Sequence, residues 1–165
     1  MLVGIISDTH GDAAAIERVA AHSAAQRAAV WLHAGDVAPD AGYLEKLLSK
    51  KVYAVAGNCD WPNPNVKDEC VLTLAGHKIF LTHGHSYGVR YTTGLFRDAA
   101  LAVGADIAVY GHTHVVERSV GVLTVLNPGS AARPRDGAEG SFMVAELIEG
   151  ELPKVEVIRL SSAEK

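Results

Sequence analysis

Five short apolar runs along this chain each stop at a cluster of Asp, Asn or His beside a glycine. Leu2-Val-Gly-Ile-Ile6 leads into Asp8, His10 and Gly11. The run 29–33 ends in His33 and leads to Gly35 and Asp36, and the run 51–56 leads to Gly57, Asn58 and Asp60. The run 78–82 is followed by His83, Gly84 and His85, and the run 107–110 by Gly111, His112 and His114. Runs of this length, rich in Val, Ile and Leu, read as buried strands. In an open α/β sheet, ligands bind at the carboxyl ends of the strands. Polar residues scattered over a hundred positions are therefore expected to meet at one sheet edge, and this pattern limits the fold more than composition does.

The segments between the runs fit that frame. Asp12 reads as the N-cap of a helix over 12–26, with Ile16, Val19 and Ala20 on one face. Asp40 opens a second helix, in which Tyr43, Leu44, Leu47 and Leu48 share a side. A third spans 92–103, apolar at Leu95, Phe96, Ala99 and Val103. Such alternation implies parallel strands with crossover helices. Pro62 and Pro64 punctuate a loop over 58–67, and strands 69–75 and 78–82 form a hairpin joined at Gly76-His77. The last third turns antiparallel, with strands 117–120 and 123–127 around Gly121, and 141–148 and 152–160 around Glu149-Gly150-Glu151. The expectation is an α/β fold, a single domain over 1–165.

Composition removes several function classes. The net charge is -4, and the densest basic cluster is Arg133 and Arg135 beside Asp136, which disfavours large nucleic acid as a partner. Cys59 and Cys70 form no C-x-x-C unit, which argues against a disulfide scaffold or a thiolate zinc site. The apolar N-terminal run lacks the basic start and length of a signal peptide. No segment nears the roughly 20 apolar residues that span a bilayer. A cytoplasmic protein without a membrane partner is expected, and homo-oligomerisation stays open.

Each polar residue taken alone has a bland reading. Asp8 reads equally as a cap, Asp36 as a turn acid and Asn58 as a left-handed turn residue. A lone loop histidine is usually solvated. His22 and His77 read as plain surface residues, and His33 as a hydrogen-bonded strand end. His85 either orients a ligand or packs, and Arg133 either meets an anion or is a solvated charge. The pair His112 and His114 is stronger, because residues i and i+2 of an extended segment point the same way. Collected at one edge, carboxylates, a carboxamide and imidazoles need pairing or cations. Nitrogen and oxygen donors without sulfur suit Mn, Fe, Co, Ni or Zn.

The segments Asp8-Thr9-His10, Gly35-Asp36, Gly57-Asn58-Cys59-Asp60, His83-Gly84-His85 and Gly111-His112-Thr113-His114 resemble, in order and spacing, the motifs of the calcineurin-like metallophosphoesterase superfamily. Asn127-Pro128-Gly129-Ser130 is similar to its small bacterial and archaeal phosphodiesterase branch. The resemblance implies two packed β-sheets flanked by helices. It implies two divalent ions, Mn first, with Ni, Co, Fe or Zn as alternatives. Asp8, His10 and His114 would hold the first ion, Asn58, His83 and His112 the second, and Asp36 would bridge both. The implied activity is hydrolysis of a small phosphate ester, most of all a phosphodiester, by a hydroxide bridging the ions, with Asn58, Asp36 and His83 in the catalytic set. Cys59 departs from the family pattern, which has His there to contact the phosphoryl group or aid the leaving group. That departure keeps a rival open: a metal-containing protein-binding scaffold of the same fold.

Overall fold

A computed structural model describes residues 1–160; positions 161–165 of the expected domain lie outside the described residues. The chain runs β1 (Leu2–Ile6), α1 (Ala13–Ala21), α2 (Ser23–Arg27), β2 (Val30–His33), α3 (Pro39–Leu48) and β3 (Val52–Ala54). It continues through β4 (Glu69–Leu74), β5 (His77–Thr82), a 3-10 turn (His85–Tyr87), α4 (Gly94–Ala102) and β6 (Ile107–Val109). It closes with β7 (Val116–Ser119), β8 (Thr124–Pro128), β9 (Ser141–Glu146) and β10 (Lys154–Arg159). None of these helices is long and apolar enough to cross a membrane.

The strands form two five-stranded sheets, ordered β10-β9-β1-β2-β3 and β4-β5-β6-β8-β7. In the first, β1, β2 and β3 are parallel and β9 returns antiparallel between β1 and β10. In the second, β5, β6 and β8 are parallel, with β4 and β7 antiparallel at the edges. Three apolar layers hold the stack. Ile16, Val19, Leu44 and Leu48 of the helices pack with Trp31 and Phe142 on one face of the first sheet. Val3, Ile5, Leu32, Met143, Ile79, Leu81 and Val109 fill the space between the sheets. Phe96 and Ala100 of α4 cover Phe80, Ala108 and Val125 on the far face of the second sheet. This is the expected pair of packed sheets flanked by helices. It also explains why β1 and β2 read as unbroken apolar runs: both faces of each are covered.

Several local expectations need correction. The helix over 12–26 is two helices, because His22 turns extended (φ -70°, ψ 135°) and its Nδ1 caps α2 by accepting from Ala24 N. His22 is thus a capping residue. Asp40 does not cap α3; Pro39 opens the helix and the Asp40 carboxylate turns toward the loop after β1. The tight turn of the β4–β5 hairpin is Ala75-Gly76, both with left-handed φ (48° and 83°), so His77 already belongs to the strand. On α4 the buried residues are Phe96 and Ala100, while Leu95 faces solvent.

His77 is the clearest misreading. It is buried, with Nδ1 2.7 Å from Asp106 Oδ2 and Nε2 3.0 Å from the Ile148 carbonyl. Asp106 Oδ1 also accepts from Lys78 N, so one side chain fastens the start of β5 to the start of β6 and to the segment after β9. Periodicity alone cannot reveal a polar anchor between elements. His77→Phe keeps the bulk and removes the partner of the Ile148 carbonyl and of the half-exposed Asp106 carboxylate, which water can partly replace, so a loss of about 1 kcal/mol is expected. Urea unfolding should show a lower midpoint with unchanged slope; a parental midpoint would mean that these bonds contribute nothing net.

Candidate metal centre

The carboxyl ends of β1, β2 and β3 in one sheet and of β5 and β6 in the other open onto the same place. There, Asp8, His10, Asp36 and His114 each offer a ligand atom, all within 4.8 Å of one another. His10 Nε2 lies 3.1 Å from His114 Nε2, which lies 3.1 Å from Asp8 Oδ1. His10 Nε2 is 3.7 Å from Asp36 Oδ2. On the other side of Asp36, His83 Nε2 stands 3.3 Å from Oδ1 and 3.2 Å from Asn58 Oδ1. His112 packs edge-on against the His83 ring, with centroids 5.1 Å apart. Of the seven residues expected from the sequence, four thus share one cluster, His83 and Asn58 stand on the other side of Asp36, and His112 adjoins them through its ring contact with His83.

The imidazoles are aimed. His114 Nδ1 donates to the Arg133 carbonyl (2.7 Å) and His83 Nδ1 to the Ala34 carbonyl (2.7 Å). Each bond leaves Nε2 as the nitrogen facing the centre, the arrangement that orients metal-ligating histidines. Asp8 Oδ2 accepts from Ser7 Oγ and His112 N, yet Oδ1 is buried with no hydrogen-bond partner among the described residues, His114 Nε2 standing 3.1 Å away. A bare carboxylate oxygen beside inward-facing imidazole nitrogens fits a divalent cation in its donor type and its unmet charge.

The backbone there is unusual. Asp8, His10, Asp36, His112 and His114 all have φ between 49° and 66°. Non-glycine residues seldom sit in this region, and such strain clusters at functional sites. Close approach explains two of the neighbouring glycines. A Cβ on Gly57 would lie 2.2 Å from Asp36 Oδ1, and one on Gly111 would lie 2.0 Å from Ser7 Oγ.

Side chains that the motif pattern did not assign hold these loops. Thr9 Oγ1 donates to Asp40 Oδ2 (2.6 Å), which also accepts from Gly11 N (2.8 Å). His33, fully buried, accepts from Gly35 N at Nδ1 and meets Thr9 Oγ1 with Nε2, which gives the strand-end histidine a definite duty. Asp60 accepts from Gly57, Val37 and Ala38 N, joining the loops after β2 and β3. Asn127 Nδ2 donates to the Gly111 carbonyl and Thr113 Oγ1, while Ser130 Oγ donates to the Asp8 carbonyl. The Asn127-Pro128-Gly129-Ser130 segment thus supports the loops of both Asp8 and His112. Arg133 holds His114 through its main-chain carbonyl, and its side chain is exposed.

Charge around the cluster sets the protonation order. Burial, with His83 adding to it, pushes His112 down from 6.5 to about 4. Burial also lowers His10, His33 and His85. Burial works against charge on His83 too, but Asp36 and Asp8 outweigh it and hold its basicity above the usual range. Burial would raise Asp36, yet His83 and the Cys59 N–H hold it well below the carboxylate range. For a histidine lowered by folding, the unfolded chain binds the proton first, so stability falls as pH drops below 6.5. His83 has the opposite sign: its contribution is present below 6.5 and lost as pH rises through its raised native pKa. Four histidines act against one, so the metal-free protein should lose urea resistance between about pH 6.5 and 4. The fall should be shallower in His112→Gln; an unchanged slope there would contradict this account of His112.

Comparison with known proteins agrees with this geometry. The calcineurin-like phosphoesterase superfamily domain matches residues 1–150. A probable metallophosphoesterase of Bacillus subtilis, YsnB, is 34% identical over 150 residues, 89% of this chain and 85% of the relative. The phosphodiesterase YfcE of Escherichia coli K12 is 35% identical, covering 82% of each chain. Among solved structures, a predicted phosphoesterase from Streptococcus pneumoniae TIGR4 superposes with TM-score 0.80 at 28% identity, covering 96% of this chain and 89% of that one. Vps29 of Entamoeba histolytica, solved with Zn2+, gives 0.73 at 26% identity over 98% of this chain and all of that one (100%). The chain belongs to the calcineurin-like phosphoesterase superfamily.

Proposed function

We propose that this protein hydrolyses a small phosphodiester with the help of two divalent ions. Asp8, His10 and His114 hold one ion, Asn58, His83 and His112 the other, and Asp36 serves both. The observation that carries the reading is the set of inward-facing Nε2 atoms around Asp36, those of His83 and His114 fixed from behind by main-chain carbonyls, together with Asp8 Oδ1, whose carboxylate Ser7 Oγ and His112 N hold from behind. Two such ions lower the pKa of water toward neutrality and draw charge from phosphoryl oxygens. Manganese is the first candidate, with Ni, Co, Fe or Zn as alternatives for the same donors.

The chain's own residues do the rest. Asp36 is held ionised by His83 and by the Cys59 N–H (3.0 Å). Asn58 stands at the exposed rim and presents its carboxamide toward an incoming phosphoryl group. Burial and then Asp36 push the Cys59 thiol up, so it stays protonated at neutral pH and is a poor nucleophile. The likeness to Vps29 favours one rival, a metal-holding scaffold with little activity; the presence of Asn58 and four convergent histidines supports the enzyme.

Chelation should abolish hydrolysis of an aryl phosphodiester, and added Mn should restore it. Asp36→Ala should be the most damaging ligand change, because one carboxylate serves both ions. A variant that kept two ions per chain by elemental analysis, with parental activity, would remove Asp36 from the bridge.

Cys59 gives a second expectation. A positioned general acid contributes about 10²–10⁴-fold to departure of a poor leaving group, and a thiol is a weak donor. The rate should therefore fall steeply as the leaving group becomes more basic. Cys59→His should flatten that dependence if its imidazole reaches the leaving oxygen. A shallow slope in the parent protein would show that another group already supplies the proton.

A further inference from the structure

A groove of about 730 Å³ runs off the cluster, with Asn58 and His85 in its wall. His85 ties this wall to the centre: its ring centroid is 5.5 Å from that of His83 and 6.1 Å from that of His112. Trp61, Pro62 and Pro64 line the groove as well. The same three residues also line an adjoining hollow of about 520 Å³ that contains Cys59. Trp61 thus borders both spaces, and it is 89% exposed. The volume lies within the roughly 300–1,000 Å³ usual for small-molecule sites. A bare indole beside two prolines offers a flat apolar face at the mouth of a polar centre, the surface on which another ring stacks.

The charge of the groove narrows its occupant. Among the described residues that line it there is no Lys or Arg, and there are two carboxylates. Asp60 spends its oxygens on three main-chain N–H groups. Asp68 is exposed and close enough to His85 to act on it electrostatically. A second anionic group in the substrate would meet Asp68 with no cation in the lining to offset it.

We propose that this groove is a subsite for a planar, uncharged aromatic ester substituent, such as an aryl or nucleoside group, stacked on Trp61, and that it discriminates against substituents carrying a further phosphate or carboxylate. The proposal rests on the reading of the cluster as a phosphoryl site, which places the phosphate next to Asn58. It adds a specificity-determining residue, Trp61, that belongs to none of the metal motifs.

Binding of non-hydrolysable phosphonates to the Zn2+-loaded protein tests it without relying on turnover. The chain has two tryptophans, and Trp31 is fully buried, so quenching of the exposed indole by acrylamide reports on Trp61. Phenylphosphonate should shield Trp61 and bind roughly tenfold more tightly by calorimetry than methylphosphonate, a ratio typical of one stacked ring. 4-Carboxyphenylphosphonate should lose that advantage. Trp61→Ala should abolish the phenyl preference and leave methylphosphonate affinity within about twofold, whereas Trp61→Phe should keep most of the preference. Equal binding of phenyl and methyl probes by the parent, or a preference that survives Trp61→Ala, overturns the subsite alone. Failure of both phosphonates to bind overturns the phosphoryl-site reading and the subsite with it. Shielding of Trp61 that rises with protein concentration and ignores phenylphosphonate would assign the indole to contact between copies, and likewise overturns the proposal.

Discussion

The structure depends most on one electrostatic constraint, the packing of electron-rich atoms from separate loops against one another. His114 gives its Nδ1 proton to the Arg133 carbonyl and presents Nε2 to Asp8 Oδ1 at 3.1 Å. Wherever such a nitrogen carries a lone pair, it repels a buried carboxylate oxygen unless positive charge lies between or beside them. Without an ion, His83 is where the carboxylates favour a proton. The carboxylates hold its imidazole above its usual basicity despite burial, while Asp36 is held low in return. The proposed divalent pair would supply the same charge more strongly, with His83 as a ligand in place of its proton. Metal binding there would be coupled to proton release, as expected where ligands must be deprotonated.

Much of this was legible in the sequence because parallel strands fix where their ends go. Once β1, β2, β3, β5 and β6 are read as strands, their trailing polar residues must gather at the sheet edge, and the motif order names them. The two-sheet architecture was not visible in periodicity. β1 and β2 are covered on both faces, so nothing in their apolar runs says whether a helix or a second sheet lies opposite. The resemblance carried that part. Polar residues that act at a distance were also hidden. His77 joins segments far apart in sequence, and Asp40 looks like any helix-opening acid until its carboxylate is seen on Thr9 and Gly11. The break at His22 escaped because its neighbours are alanines, which favour a continuous helix.

The strained backbone makes the supporting bonds necessary. Five cluster residues adopt left-handed φ, at a cost of order 1 kcal/mol each. Their sum is comparable with the net stability of an ordinary domain, about 5–15 kcal/mol. The apolar layers provide the reserve, and they stand apart from the cluster: Trp31 against Phe142 on the first sheet, and Phe96 against Phe80 and Tyr110 on the second. A core built this way can hold the loops in a costly shape without help from a ligand.

The loops are also held by one another. Asp40, on α3, fixes the turn after β1. Asp60, in the loop after β3, fixes the turn after β2. Asp36, in the turn after β2, accepts from Cys59 N in the loop after β3. The loops after β1, β2 and β3 are thus each braced by a carboxylate from a different segment. This cross-bracing bears on the departure at position 59. One contribution of that residue to the geometry is its main-chain N–H, which any residue except proline supplies. Its side chain is exposed; the thiol also interacts with Asp36, and Asn58 Nδ2 stands 3.6 Å from Sγ. Exchange of the family's histidine for cysteine can therefore change leaving-group chemistry and leave the position of Asp36 intact. On the proposed reading the metal ligands and the proton donor would be separable, because the main-chain bond from position 59 to Asp36 does not depend on which side chain stands there.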